Sequence, residues 1–316
     1  MSGDGTVDLT TRVGSVVLPN PVMTASGTAG HGAELSAYLD LAALGAVVVK
    51  SLAAFPWAGN PPLRVHETEA GMINSVGLQG PGVEAWLTHD LPALAATGAR
   101  VVASIWGRSV AEYEAAAQLL ADAPDCVVAV EVNLSCPNTE AARDLFAHSA
   151  SATHDAVAAA AACGRPRWAK LSPNVTDLVP IADAARAAGA EAVTLVNTVL
   201  GMAIDPETGA YRLGSGERGG GLSGPAIHPV AVRAVHDVHA ALPDLPIVGV
   251  GGVARGEDAA ELLLAGASAV QVGTATFADP RAPALVLAEL EAWSARTGRR
   301  TIAESVGAAH GKEPTR

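Results

Sequence analysis

Val130-Glu131-Val132-Asn133-Leu134-Ser135-Cys136-Pro137-Asn138 closes an apolar run that begins at Val127. The run reads as a buried strand, and it stops abruptly in a polar turn that carries a thiol and is closed by a proline. A buried strand whose carboxyl end bears amides, a hydroxyl and a cysteine matches barrels whose function sits on the loops after their strands. Outward from this stretch, strand-like runs alternate with Ala-rich helical ones. Strands are predicted over 22–24, 46–50, 101–104, 127–133, 168–171, 192–197, 246–251 and 269–273. Helices are predicted over 34–43, 83–97, 110–121, 152–162, 176–188, 229–241, 257–265 and 283–297. Several strands are apolar throughout, as strands covered on both faces are. Eight such units fit a closed (β/α)8 TIM barrel, an α/β fold, better than an open sheet. Residues 7–17 are expected to form an N-terminal β-hairpin under the barrel. Long insertions at 51–82 and 198–227 fall on the strand-end face, where loops tend to be functional. No Pro/Ser linker interrupts the chain, so residues 1–316 are expected to be one domain.

The composition narrows the possible partners. Acidic residues outnumber basic ones by 32 to 20, for a net charge of −12, which argues against nucleic acid or an anionic membrane. No basic leader precedes an apolar core, and no apolar run reaches the roughly 18 residues of a membrane helix. A soluble, cytoplasmic protein is the expectation. The three cysteines, Cys126, Cys136 and Cys163, have neither CxxC spacing nor an even count. A disulfide frame, a zinc site and an iron–sulfur cluster in this chain are therefore not expected. The nine histidines show no ligand spacing, so no metal is expected. Arginines number 17 but lysines only three, Lys50, Lys170 and Lys312, and two of these close strand-like runs. A lysine at a strand end, in a chain that otherwise prefers arginine, suggests a need for a compact ammonium.

Small and polar residues gather at the other strand ends. The stretch 24–30 after the first strand would by itself be an ordinary Gly-rich turn, though it also lets a flat ligand come close. Gly251-Gly252 after strand seven and Gly273-Thr274 after strand eight occupy the two loops that often cradle a phosphate in such barrels. Asn74, Asn133, Asn138 and Asn197 with Thr198 converge on the same face, as a clamp for a small planar ligand would. Cys136 has no histidine nearby in sequence, so a thiolate that abstracts a proton is the more natural role than a protease-type nucleophile.

Taken in order, these motifs resemble class 1 dihydroorotate dehydrogenases. The series runs through residues 20–27, Val49-Lys50-Ser51, Asn74-Ser75-Val76-Gly77-Leu78-Gln79, residues 133–138, Lys170-Leu171-Ser172-Pro173-Asn174, Asn197-Thr198, Gly220-Gly221-Leu222-Ser223-Gly224, Gly251-Gly252 and Gly273-Thr274. It spans about residue 5 to about 295, and residues 197–205 with the Gly-Gly-Leu-Ser-Gly run look closer to the 1B subtype than to the fumarate-using 1A subtype. The resemblance implies FMN at the top of the barrel, contacted by Ser26, Lys50, Ser51, Asn133, Lys170, Val196, Gly224, Gly251, Gly252, Gly273 and Thr274. It implies dihydroorotate held by Lys50, Asn74, Ser75, Val76, Gly77, Leu78, Asn133, Asn138, Asn197 and Thr198, with Cys136 as base. Ser104 stands where the family usually places a flavin-contacting asparagine, and 139–148 departs from the Gly-rich lid usual there. A homodimer is expected, and also a separate FAD and iron–sulfur subunit that passes electrons to NAD. Three other readings compete: a dihydropyrimidine dehydrogenase-like unit acting on uracil or thymine, a flavin-free phosphate-sugar barrel with Lys170 as Schiff-base amine, and a non-enzymatic flavin binder.

Overall fold

The computed structural model describes residues 7–135 and 146–312. Cys136, Asn138 and residues 139–145 of the altered lid segment lie outside the described residues. Eight parallel strands make the central sheet: β1 (Val22–Thr24), β2 (Val47–Val48), β3 (Val101–Ile105), β4 (Val127–Asn133), β5 (Arg167–Lys170), β6 (Ala192–Leu195), β7 (Ile247–Val250) and β8 (Ala269–Val272). Neighbours run β1-β8-β7-β6-β5-β4-β3-β2. A Met23–Ala46 bridge brings β1 back to β2, so the sheet closes into the expected barrel. Thr24 reinforces that seam: its hydroxyl accepts from the Val48 N–H at 2.8 Å and donates to the Val48 carbonyl at 3.2 Å.

The two-residue period of a strand sorts side chains between the barrel's inside and outside. On β3, Val101, Ala103 and Ile105 face the surrounding helices, whereas Val102 points inward. The lowest inner layer is apolar: Met23, Val48, Val102, Ala129, Trp168, Ala192, Val248 and Ala269, all buried. Below it sits the predicted hairpin, Thr11–Val13 paired with Val16–Leu18, whose Val13, Val16 and Leu18 join this layer and plug the barrel. Two residues further along their strands come Lys50, Ser104, Glu131, Lys170, Thr194 and Gln271. The inner surface thus changes from apolar to polar within one step of the pleat.

The helices differ from expectation where a side chain interrupts the backbone ladder. Residues 34–43 form two short 3-10 turns, Glu34–Ala37 and Leu41–Ala43, because the Asp40 carboxylate captures the Ala42 N–H. The helix expected over 83–97 splits into Val83–His89 and Leu91–Ala96; Pro92 has no N–H to continue the first. The helix expected from 176 begins at Val179, where Pro180 sits in the first turn and Asp177 accepts from the Val179 N–H.

The two long insertions are not merely loops. They combine into one antiparallel sheet in the order Val199–Gly201, Gly220–Ser223, Gly71–Asn74, Val65–Thr68. Gly221 lies opposite Asn74, so the second insertion is stitched to the first over the strand-end face. A side chain at Gly221 would run into the Thr198 hydroxyl, so this approach requires glycine. No helix among the described residues is long and apolar enough to cross a membrane.

Candidate active site

Between the barrel mouth and the insertion sheet lies a cavity of about 390 Å³, within the range that holds a small ligand or cofactor. Its floor rests on the polar inner layer, from which Lys50 and Lys170 reach it. The Lys170 ammonium, on a residue only 4% exposed, donates to Ser26 Oγ at 3.2 Å and to Gln271 Oε1 at 3.1 Å, and lies 3.6 Å from Glu131 Oε1. A lysine held by two acceptors and a carboxylate is placed as an ammonium. A Schiff-base nucleophile needs a neutral, accessible amine, so this placement counts against the phosphate-sugar reading. Lys50 reaches the cavity from the end of β2, with its backbone N–H anchored on the Gly30 carbonyl at 2.9 Å.

One wall is a relay of polar side chains. Asn197 Nδ2 donates to Asn133 Oδ1 (3.3 Å), and Asn133 Nδ2 donates to Ser51 Oγ (3.1 Å). Ser51 Oγ is in turn 2.9 Å from Ser104 Oγ. The Tyr113 hydroxyl fixes Asn133 from behind through its carbonyl, at 2.6 Å. Ser104 is fully buried and does not line the cavity, so it supports Ser51 from behind the wall instead of facing a ligand, as the family resemblance had implied. Ser104→Ala is therefore expected to cost about 0.5–1.5 kcal/mol of stability through the lost hydrogen bond and to leave FMN affinity within roughly threefold. Denaturant unfolding and a flavin titration check the two halves; a large affinity loss would put Ser104 back on the cavity wall.

The opposite wall is the segment Ser75–Leu78 of the first insertion. Three of its carbonyls are tied from behind: Ser75 O accepts from Asn60 Nδ2 (2.9 Å), Val76 O from the Asn60 N–H (3.0 Å) and Gly77 O from Trp57 Nε1 (3.0 Å). A trans peptide points its N–H opposite its C=O, so the amides of Val76, Gly77 and Leu78 are turned to the cavity side. Leu78 has φ of 63°, a left-handed conformation that a branched side chain adopts only under constraint. Three N–H groups on a cavity that Lys50 also lines make a receptor for an anionic group.

The far side is formed by the turns Gly251-Gly252 and Gly273-Thr274, the latter hydroxyl 2.8 Å from Ser223 Oγ. A side chain added at Gly273 would meet only Ala25 Cβ at 3.4 Å and the Thr28 methyl at 4.0 Å, and its φ is not left-handed. The protein itself does not require glycine there; the space serves something in the cavity. The hydroxyls of Ser75 and Ser135, both on lining residues, are buried without a partner among the described residues. Ammonium floor, unpaired hydroxyls and an open glycine cradle together fit FMN with a small carboxylate beside it.

Of the described residues expected in the site, all but Ser104 line this cavity. Sequence reasoning missed Asn60 and Asn174. Asn174 Nδ2 donates to Ser172 Oγ (2.8 Å) and to the Thr198 carbonyl (3.0 Å), and its Oδ1 accepts from the Leu200 N–H (2.8 Å), anchoring the second insertion. Its signal was present in the Ser172-Pro173-Asn174 motif that ends β5; Asn60 had no comparable signal. Cys126 precedes β4 at the bottom of the barrel and Cys163 lies in a turn behind it; burial pushes both thiols up from the ordinary value. Neither could serve as a base in the cavity. Among the described residues no group of three or more His, Cys, Asp or Glu could hold a metal ion.

Comparison with known proteins agrees with this geometry. The dihydroorotate dehydrogenase family model matches residues 8–293. A dihydroorotate dehydrogenase B (NAD(+)), catalytic subunit, of Desulforudis audaxviator is 50% identical over 94% of this chain and 96% of its own length. The protein of the same name from Alkaliphilus oremlandii is 46% identical over 94% and 97%. A Solibacter usitatus protein named as a dihydroorotate dehydrogenase A (fumarate) is also 46% identical, over 96% and 98%.

Proposed function

Because the chain belongs to the dihydroorotate dehydrogenase family, we propose that its cavity oxidises dihydroorotate to orotate with Cys136 as the base and that the electrons leave through a separate subunit to NAD. The enzyme acts in pyrimidine biosynthesis. FMN, when bound, supplies the hydride acceptor at its N5. Everything else falls to the chain's own residues. The amides of Val76, Gly77 and Leu78, with Lys50, hold the substrate carboxylate; this receptor is the observation that carries the reading. Uracil and thymine have no carboxylate to place there, so a dihydropyrimidine dehydrogenase-like activity is disfavoured.

The Asn197–Asn133 wall orients the pyrimidine edge. Cys136 is bonded to Ser135, the last described residue before it and one that lines the cavity. A thiol has an ordinary pKa of about 8.5, so it can take the C5 proton near neutrality where a serine hydroxyl could not. Lys170 and Ser26 would hold the flavin from the floor, where the ammonium would offset negative charge gained on reduction.

The electron acceptor is inferred from relatives whose names include NAD(+). The similarly close relative named for fumarate makes the acceptor the point to test. Purified chain is expected to be yellow, to bleach anaerobically with dihydroorotate and to stay oxidised with dihydrouracil. Fumarate is expected not to restore the colour, whereas NAD is expected to do so only with the co-purifying subunit. Reoxidation by fumarate alone would overturn the assignment of the acceptor, and a colourless chain that takes up no FMN would overturn the whole reading.

A further inference from the structure

Directly beneath the cavity, four strands contribute to one buried polar layer. Glu131 of β4 is fully buried, and its Oε2 accepts from Gln271 Nε2 of β8 at 2.7 Å and from Thr194 Oγ1 of β6 at 3.2 Å. Its Oε1 has no hydrogen-bond partner; the Lys170 ammonium of β5 stands off at 3.6 Å. That ammonium is instead held by Ser26 Oγ on the cavity side and by Gln271 Oε1 within the layer. Two of its three N–H bonds are thereby spent, on a residue that also lines the cavity. A buried ion pair is seldom a gain in stability over apolar packing. The layer immediately below is apolar, so a structural role alone does not account for a carboxylate here.

We propose that Glu131 is a positioning residue: as counter-ion and anchor of Lys170, it sets the field of that ammonium on the cavity floor and hence the reduction potential of bound FMN. The proposal rests on the FMN reading above. Lys50 also faces the cavity but comes from the end of a different strand, β2, whereas Glu131 is met by Gln271, Thr194 and Lys170, so the effect of Glu131 is separable from it.

The test is a dye-equilibrated spectrophotometric titration of FMN-loaded protein. Glu131→Gln keeps the shape and removes the charge, leaving the ammonium without its offset. Its oxidised-to-reduced ratio is expected to shift at least tenfold toward the reduced form, about 30 mV for a two-electron couple. In a Lys170→Met background the same change is expected to move the ratio less than roughly threefold, because the effect runs through the ammonium that this variant lacks. Glu131→Asp, which keeps the charge but withdraws it, is expected to give a smaller shift of the same sign and carries the test if the glutamine variant does not fold. An unchanged potential with only a lower melting temperature would make Glu131 structural and overturn the proposal. A shift toward the oxidised form, or equal shifts in both backgrounds, would overturn it as well. Wild type that binds no FMN is a different failure, that of the functional reading itself.

Discussion

Cys136→Ala is expected to slow anaerobic flavin reduction by dihydroorotate on the order of 10²- to 10⁴-fold, the usual contribution of a positioned general base. FMN content and orotate affinity should stay near wild type, because the groups that hold them, Lys170, Lys50 and the Val76–Leu78 amides, are elsewhere. No other thiol can substitute: Cys126 and Cys163 are on the wrong side of the strands, and burial holds both protonated. Wild-type reduction should also accelerate as pH rises toward the ordinary thiol value of about 8.5, and Cys136→Ser should move that acceleration to higher pH. Stopped-flow bleaching across a pH series reads both effects. An alanine variant reduced at the wild-type rate would remove the thiol from the mechanism.

The barrel was legible because its signal is local. Most strands are short runs rich in β-branched residues, and the alternation of strand and helix needs no knowledge of distant residues. The site was legible to the extent that it sits on strand ends: Lys50, Asn133, Lys170 and Asn197 each lie at or next to the end of a predicted strand, and the structure brings them together around one cavity. What the sequence hid depends on partners far along the chain. The insertion sheet pairs residues 71–74 with residues 220–223, and a run of three glycines before Leu222 reads as a turn until Asn74 is seen opposite Gly221. Ser104 was expected at the flavin from the family resemblance alone; its hydroxyl bonds Ser51 and the residue does not line the cavity. Glu131 was absorbed into an apolar run, and only the inward layer shared with Lys170 and Gln271 shows that a charge is buried there. Asn60 acts on backbone carbonyls alone, a role that no side-chain pattern announces.

The glycines of the far wall separate what the fold requires from what a ligand requires. A Cβ at Gly252 would press on His228 Cβ at 2.6 Å and on the Gly224 carbonyl at 2.9 Å, and its φ of +70° already disfavours other residues. A substitution there would disturb protein and site together, and its result would be ambiguous. Gly273 has neither constraint, since its neighbours stand at ordinary contact distance. Gly273→Val is thus expected to leave unfolding stability within about 1 kcal/mol, as surface-like substitutions without a clash do. Inside the cavity the same methyl groups occupy space meant for the cofactor, and overpacking of that kind costs about 1–3 kcal/mol. FMN affinity should fall roughly 5- to 150-fold, giving a folded chain that purifies with little colour and regains activity only at high added FMN. Calorimetry of the apoprotein alongside flavin fluorescence titration distinguishes the cases. If the valine chain binds FMN as tightly as wild type, the cofactor does not lie against the turn after β8, and the placement of its phosphate on that side of the barrel is wrong.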